Sequence, residues 1–145
     1  MFVGEYNHSI DAKGRVTMPA KFREELGEHF FVTRGFEGCL TAYPPERWER
    51  IQHNLTSLSL TNTAGRKLAR IFLGNAIEAE VDQMGRILIT QPLRNAAGIT
   101  KNVVLIGLGD RVEIWDQDEW NKVNGRDALE NLSEDELEKL EGLEL

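Results

Sequence analysis

The sequence predicts a mainly β fold of the α+β class, a small barrel with a pseudo-twofold repeat and helices at its periphery. Three observations carry that expectation. The stretch "IDAKGRVTMPAKFREELG" at 10–27 returns at 81–98 as "VDQMGRILITQPLRNAAG". Aligning Asp11 with Asp82 sets Gly14 against Gly85, Arg15 against Arg86, Val16 against Ile87, Phe22 against Leu93, Arg23 against Arg94 and Gly27 against Gly98. After short insertions "FFVT" (30–33) meets "VVLI" (103–106), and "LTAYPPERW" (40–48) meets "VEIWDQDEW" (112–120). Co-linearity of this kind marks an internal duplication. Within each copy, short apolar runs are bounded by Gly, Pro and Asp, which is strand and turn patterning. One copy offers only four short strands and one short helix, too little to bury a core, whereas two copies can interlock into one barrel.

Each element follows from local chemistry. "GEYNHSI" is a strand, and "DAKG" is a turn in which Asp11 starts the bend and Gly14 supplies a positive φ. "RVTM" resumes as a strand with Val16 and Met18 on one face, Arg15 and Thr17 on the other. Pro19 opens a short helix with Phe22 and Leu26 at i, i+4 spacing, and Gly27 ends it. "HFFVTRGFEGCLTAYP" reads as a second hairpin with Gly35 and Gly38 near its turn. The second copy repeats the series as "EAEV", "DQMG", "RILI", a helix at 92–97, "NVVLIGL" and "RVEIW". After Pro44 and Pro45, a helical stripe places Trp48, Ile51, Leu55 and Leu58 together, and residues 64–73 place Leu68, Ile71 and Phe72 on another. Trp120 and Val123 mirror Trp48 and Ile51. Ser133 and Glu136 form a capping box before Leu137, Leu140 and Leu143, an apolar stripe that must pack on its own chain or a neighbour. The expected organisation is a first repeat at 5–55, a helical linker at 56–76, a second repeat at 77–125 and an acidic C-terminal helix at 126–145.

Composition narrows the function. The net charge of −7 argues at first against a nucleic-acid partner. Residues 127–145, however, hold eight acids against the single base Lys139, so residues 1–126 are balanced. Nucleic-acid binding depends on the local field of one face, and an acidic tail elsewhere does not forbid it. The lone Cys39 excludes an internal disulfide and points to a reducing, intracellular setting. No secretion signal is expected from "MFVGEY", and the longest apolar runs, such as "VVLIGL", are too short to span a bilayer. There is no Ser/His/Asp or Cys/His set, and "GRKLAR" at 65–70 lacks the glycine spacing of a phosphate loop, so no enzyme is expected. His8, His29 and His53 lack metal-ligand spacing, and neither a metal nor a cofactor is expected.

The repeated Asp–Arg turn is the candidate site. An arginine directly after a turn glycine projects from the mouth of a hairpin, where its planar fork can bridge phosphates or pair with guanine O6 and N7. Asp four residues earlier can accept from that guanidinium and hold it pointed outward. Arg15 and Arg86 are thus the candidate DNA contacts, and Asp11, Gly14, Asp82 and Gly85 the groups that orient them. Lys13, Lys21, Arg23 and Arg94 could supply phosphate contacts, though Met84 replaces Lys13 and Pro92 replaces Lys21 in the second copy. The same Asp–Arg spacing also staples a hairpin with no ligand, and from the residues alone the two readings stand level. Arg23 and Arg94 can equally pair with nearby surface acids such as Glu24.

At these residues the chain resembles the MraZ family of bacterial regulators, encoded at the head of the division and cell-wall gene cluster. "MFVGEYNHSIDAKGRVTMPAKFR", "LGNAIEAEVDQMGRILI" and "VVLIGLGDRVEIWDQDEW" carry the resemblance nearly end to end. The resemblance implies two tandem SpoVT-AbrB-type modules forming a swapped-hairpin, double-split β-barrel. It further implies a closed homo-oligomeric ring that binds direct repeats in promoter DNA, represses its own operon and works in the cytoplasm at the nucleoid. The family's D-x-x-x-R signature falls on Asp11 and Arg15, and on Asp82 and Arg86. The chain departs at Thr90, where the family usually repeats the proline found at Pro19, with Pro92 two residues later. A ring-forming interaction module is the rival: its Asp–Arg hairpins would serve subunit contacts and its acidic C-terminal helix would recruit a protein.

Overall fold

The computed structural model describes all residues 1–145. Strand β1 (Phe2–Ser9) leads through the first turn into β2 (Arg15–Thr17), helix α1 (Ala20–Leu26), β3 (His29–Arg34) and β4 (Leu40–Tyr43). Helices α2 (Pro45–Thr56) and α3 (Thr63–Phe72) connect to the second copy: β5 (Ile77–Glu80), β6 (Arg86–Leu88), α4 (Gln91–Ala97), β7 (Asn102–Gly109) and β8 (Val112–Asp116). Helices α5 (Gln117–Val123) and α6 (Glu134–Glu138) close the chain.

The two copies interlock by exchanging strands. A six-stranded antiparallel sheet runs β1-β7-β8-β4-β3-β5, and β2 pairs with β6 in a separate two-stranded ribbon. The first strand of each copy therefore pairs with the third strand of the other. The registers obey the duplication: His8 faces Val103 on one side as Ala79 faces Phe30 on the other, and Tyr6 faces Leu105 as Ile77 faces Val32. Val16 faces its own counterpart Ile87, and Thr41 faces its counterpart Glu113. A pseudo-twofold axis passes through both pairs. The mainly β, helix-decorated fold expected from the sequence is the one observed.

One core serves both copies. Val16, Met18, Ile87 and Ile89 from the ribbon pack with Phe30, Val32, Leu40, Val103, Leu105 and Ile114 from the sheet, and with Phe22, Leu26, Leu93 and Ala97 from α1 and α4. The outer face of the sheet is covered twice in the same manner. Trp48 of α2 stacks on Phe31 at 5.4 Å, and Trp120 of α5 sits 5.6 Å from Trp115 over a small cluster with Cys39, Val104 and Ile106. Trp48 is buried and Trp120 only half-buried, so the second lid is the looser one. Burial pushes the Cys39 thiol up to about 12, with the Glu113 carboxylate adding to the shift, and leaves it an inert apolar group.

Several boundaries differ from the sequence expectation. Helix α4 begins at Gln91, one residue before the expected start, and matches α1 position for position. Thr90 holds φ −66° and ψ 156°, close to the −52° and 141° of Pro19, so the extended entry needs no proline ring. Pro92 falls in the first turn, where a missing N–H has no helical acceptor to lose. Helix α2 stops at Thr56, leaving Leu58 beyond it and exposed. Val123 does not mirror Ile51 in burial and is also exposed. The acidic tail is helical only over Glu134–Glu138, with the capping box formed and Leu137, Leu140 and Leu143 exposed. An isolated helix this short gains little without a packing partner.

Candidate nucleic-acid interface

The ribbon β2–β6 displays the repeated motif. Val16 and Ile87 point into the core, which turns Arg15, Thr17, Arg86 and Leu88 to the outside. Arg15 lies opposite Leu88 and Thr17 opposite Arg86, so the two arginines sit diagonally about the pseudo-twofold axis.

Each arginine is held by its own turn. The Asp11 carboxylate accepts from the backbone N–H of Lys13 at 3.0 Å and of Arg15 at 2.9 Å, and from Arg15 Nε at 2.8 Å. Asp82 accepts from the N–H of Met84 and of Arg86, each at 2.9 Å, and from Arg86 Nε at 3.0 Å. The backbone N–H bonds to Arg15 and Arg86 are the largest cause that holds each carboxyl below its ordinary value of 3.8, and the guanidinium bonds add to it. Gly14 and Gly85 take φ of 87° and 79°, the left-handed turn conformation the hairpins need. With Nε turned back onto Asp, Arg15 keeps both η nitrogens without a partner and Arg86 keeps Nη2, and that end of a guanidinium matches phosphate or guanine.

The two turns differ at their rims. Lys13 is exposed at the first tip with no acidic partner, where Met84 stands 71% exposed at the second. Arg86 Nη1 also leans to within 3.9 Å of Asp11, and no matching ion pair joins Arg15 to Asp82. Lys21 is exposed on α1 and unpaired. Arg23 and Arg94 are half-buried and do not pair with Glu24; each guanidinium sits against the turn glycine of the other copy. Arg94 Nη1 donates to the Ile89 carbonyl and Nη2 to Gln91 Oε1 at 2.6 Å. Gln91 is a participant that no motif singles out; its i, i+3 spacing to Arg94 is the one signal the sequence carries for it.

A duplicated barrel with exchanged strands, bearing paired Asp–Arg turns on one ribbon, belongs to the AbrB-like class of fold. The sequence pattern of the family described as "MraZ protein, putative antitoxin-like" matches twice, over residues 1–71 and 72–141. The chain is a member of the MraZ family. It is 49% identical over 137 residues to the "Transcriptional regulator MraZ" of Alkaliphilus oremlandii, covering 94% of each chain. It is 43% identical over 145 residues to that of Lactobacillus gasseri, covering 100% of each, and 49% identical to that of Heliobacterium modesticaldum, covering 88% of this chain and 90% of the relative. These relatives are transcriptional regulators by name, and the family is not one of enzymes. The solution structure of PHS018 from Pyrococcus horikoshii aligns over 79% of this chain and 88% of its own at 16% identity, with a TM-score of 0.29, too low to bear on the fold.

Proposed function

We propose that this protein is a transcriptional regulator that binds promoter DNA through the β2–β6 ribbon, as a ring-shaped homo-oligomer, and represses its own division and cell-wall gene cluster. The observation that carries the reading is the pair of outward arginines on a two-stranded ribbon, each held at Nε by an aspartate of its own turn. A two-stranded ribbon fits the major groove, and arginine is the commonest reader of guanine there. Arg15 and Arg86 take the base or phosphate contacts, with Lys13 and Lys21 on phosphates. One chain offers too few cations for tight binding, so repetition of the patch around a ring, matched to direct repeats in the DNA, supplies the avidity. The family membership and the relatives' names support the regulatory role. Such a protein acts in the cytoplasm at the nucleoid, and no helix here is long and apolar enough to cross a membrane.

Titration of labelled DNA from upstream of the protein's own gene tests the reading. Arg15→Ala and Arg86→Ala are each expected to weaken binding about tenfold or more while light scattering reports an assembly of unchanged size. Affinity should also fall steeply with salt as counterions are released. Variants that bind DNA like the wild type but dissociate into smaller species would instead assign the turns to subunit contacts.

A further inference from the structure

Arg23 and Arg94 hold equivalent places on α1 and α4, and each reaches across the pseudo-twofold axis to the other copy's turn. A methyl group placed on Gly14 would collide with Arg94 Nη1 and lie 2.7 Å from the Ile89 carbonyl. One placed on Gly85 would lie 2.5 Å from Arg23 Nη1. The ribbon's end bonds run the same way: Ile89 N–H donates to the Gly14 carbonyl at 2.8 Å, and Met18 N–H to the Gly85 carbonyl at 2.9 Å.

We propose that Arg94 and Arg23 are positioning residues for DNA binding, each bracing the Asp–Arg turn of the opposite repeat, with the brace on the first turn the stronger. The proposal rests on the DNA-binding reading above. Arg94 has two of its nitrogens engaged, one on Ile89 and one on Gln91, and Ile89 is in turn bonded to Gly14. That circuit ties the first turn to α4 through a planar group with two of its five N–H donors already committed inside the protein. Arg23 has no such anchor. Its counterpart of Gln91 is Ala20, and its Nε is buried without an acceptor. The first turn, which carries Lys13 and Arg15, is therefore the better fixed of the two. A contact held in its bound geometry loses less freedom when it meets its ligand.

The test uses the full chain with nitrogen-15-labelled arginine and the promoter DNA named above. Arg94→Ala should speed hydrogen exchange at Arg15 Nε–H about tenfold, the sign of a locally opened turn, and leave Arg86 Nε–H unchanged. The same variant should weaken DNA binding by about tenfold with the salt dependence of binding unaltered, because no phosphate contact is lost. Arg94→Lys should behave like Arg94→Ala, since an ammonium cannot reproduce the planar fork. Ala20→Gln, at an exposed position, should supply the missing acceptor to Arg23 and slow exchange at Arg86 Nε–H. A salt slope lowered by about one together with rescue by lysine would make Arg94 a phosphate contact and overturn the proposal. Unchanged exchange at Arg15 in Arg94→Ala would overturn it too. A wild-type chain that fails to bind the DNA would sink the regulator reading, and the exchange measurements would still decide the brace. Should Arg94→Ala fail to fold, Ala20→Gln decides by the Arg86 signal alone.

Discussion

The third strands of the two repeats start alike and end differently. In the first repeat β3 stops at Arg34, which is exposed; in the second, β7 continues past the equivalent Gly107 to Gly109. The cause lies in the partner strand. β1 pairs with β7 along its whole length from Phe2 to Ser9, whereas β5 pairs with β3 only over Ile77–Glu80, because the chain before β5 is still leaving α3. The extra length of β1 presses on Gly107: a side chain there would meet the backbone of Val3 at 2.4 Å and of Phe2 at 2.5 Å. Duplication thus supplied one backbone plan twice, and the joint between the copies made the halves unequal.

The inequality can be broken at its strongest point. Gly107→Val puts a good strand former into a strand, yet the neighbouring backbone cannot yield, so a loss of about 3 kcal/mol is expected in urea unfolding. Arg34→Val at the matching place should change stability by less than about 0.5 kcal/mol, as exposed sites do. Equal effects at the two sites would show that β1 does not close on β7 as described.

The turns offer a finer comparison. Gly14→Ala and Gly85→Ala each force a side chain into the left-handed region, a cost of roughly 1–2 kcal/mol. At Gly14 the added methyl also meets a fixed backbone carbonyl, Ile89 O, while at Gly85 its nearest neighbours are atoms of the Arg23 side chain, which can swing away. Thermal melts should therefore place Gly14→Ala below Gly85→Ala by several degrees, about 1 kcal/mol at this chain length. The reverse order would locate the tighter packing at the second turn.

The smallest effect is a titration. Asp11 and Asp82 have their pKa lowered on folding, so the stabilisation they give is complete above the ordinary value of 3.8 and is lost as pH falls through the lower folded values. Carboxyl carbon shifts of both residues followed by NMR should show midpoints below 3.8, with no change between about pH 5 and 8. A midpoint at the ordinary value for one turn alone would mean that its Asp–Arg hold is absent in solution.

Much of this architecture was legible because its signals are local. Asp11 with Gly14, and Asp82 with Gly85, mark their turns by residue type, and the Val16/Met18 and Ile87/Ile89 alternation marks the core face of the ribbon. The Asp-to-Arg bonds followed from spacing alone. The exchange of β1 and β5 between copies did not, since pairing His8 with Val103 is a long-range choice that no local preference encodes. For the same reason Arg23 and Arg94 read as surface cations on short helices, when their surroundings come from the far repeat. The C-terminal helix is shorter than its capping box and leucine spacing imply, because those signals start a helix but cannot sustain it unpacked.

The axis through Val16 and Ile87 lies inside a single chain. A twofold axis between two identical chains obliges both sides to carry the same residues, and a change on one side is automatically a change on the other. Covalent joining removes that obligation. Lys13 can stand at one tip with Met84 at the other, and Gln91 can hold Arg94 while Ala20 offers Arg23 no acceptor. The fused molecule has acquired a front and a back, so copies laid side by side can all point the same way. A ring of such units, as proposed above, would have direction, and direct repeats rather than palindromes are the sites that would match it.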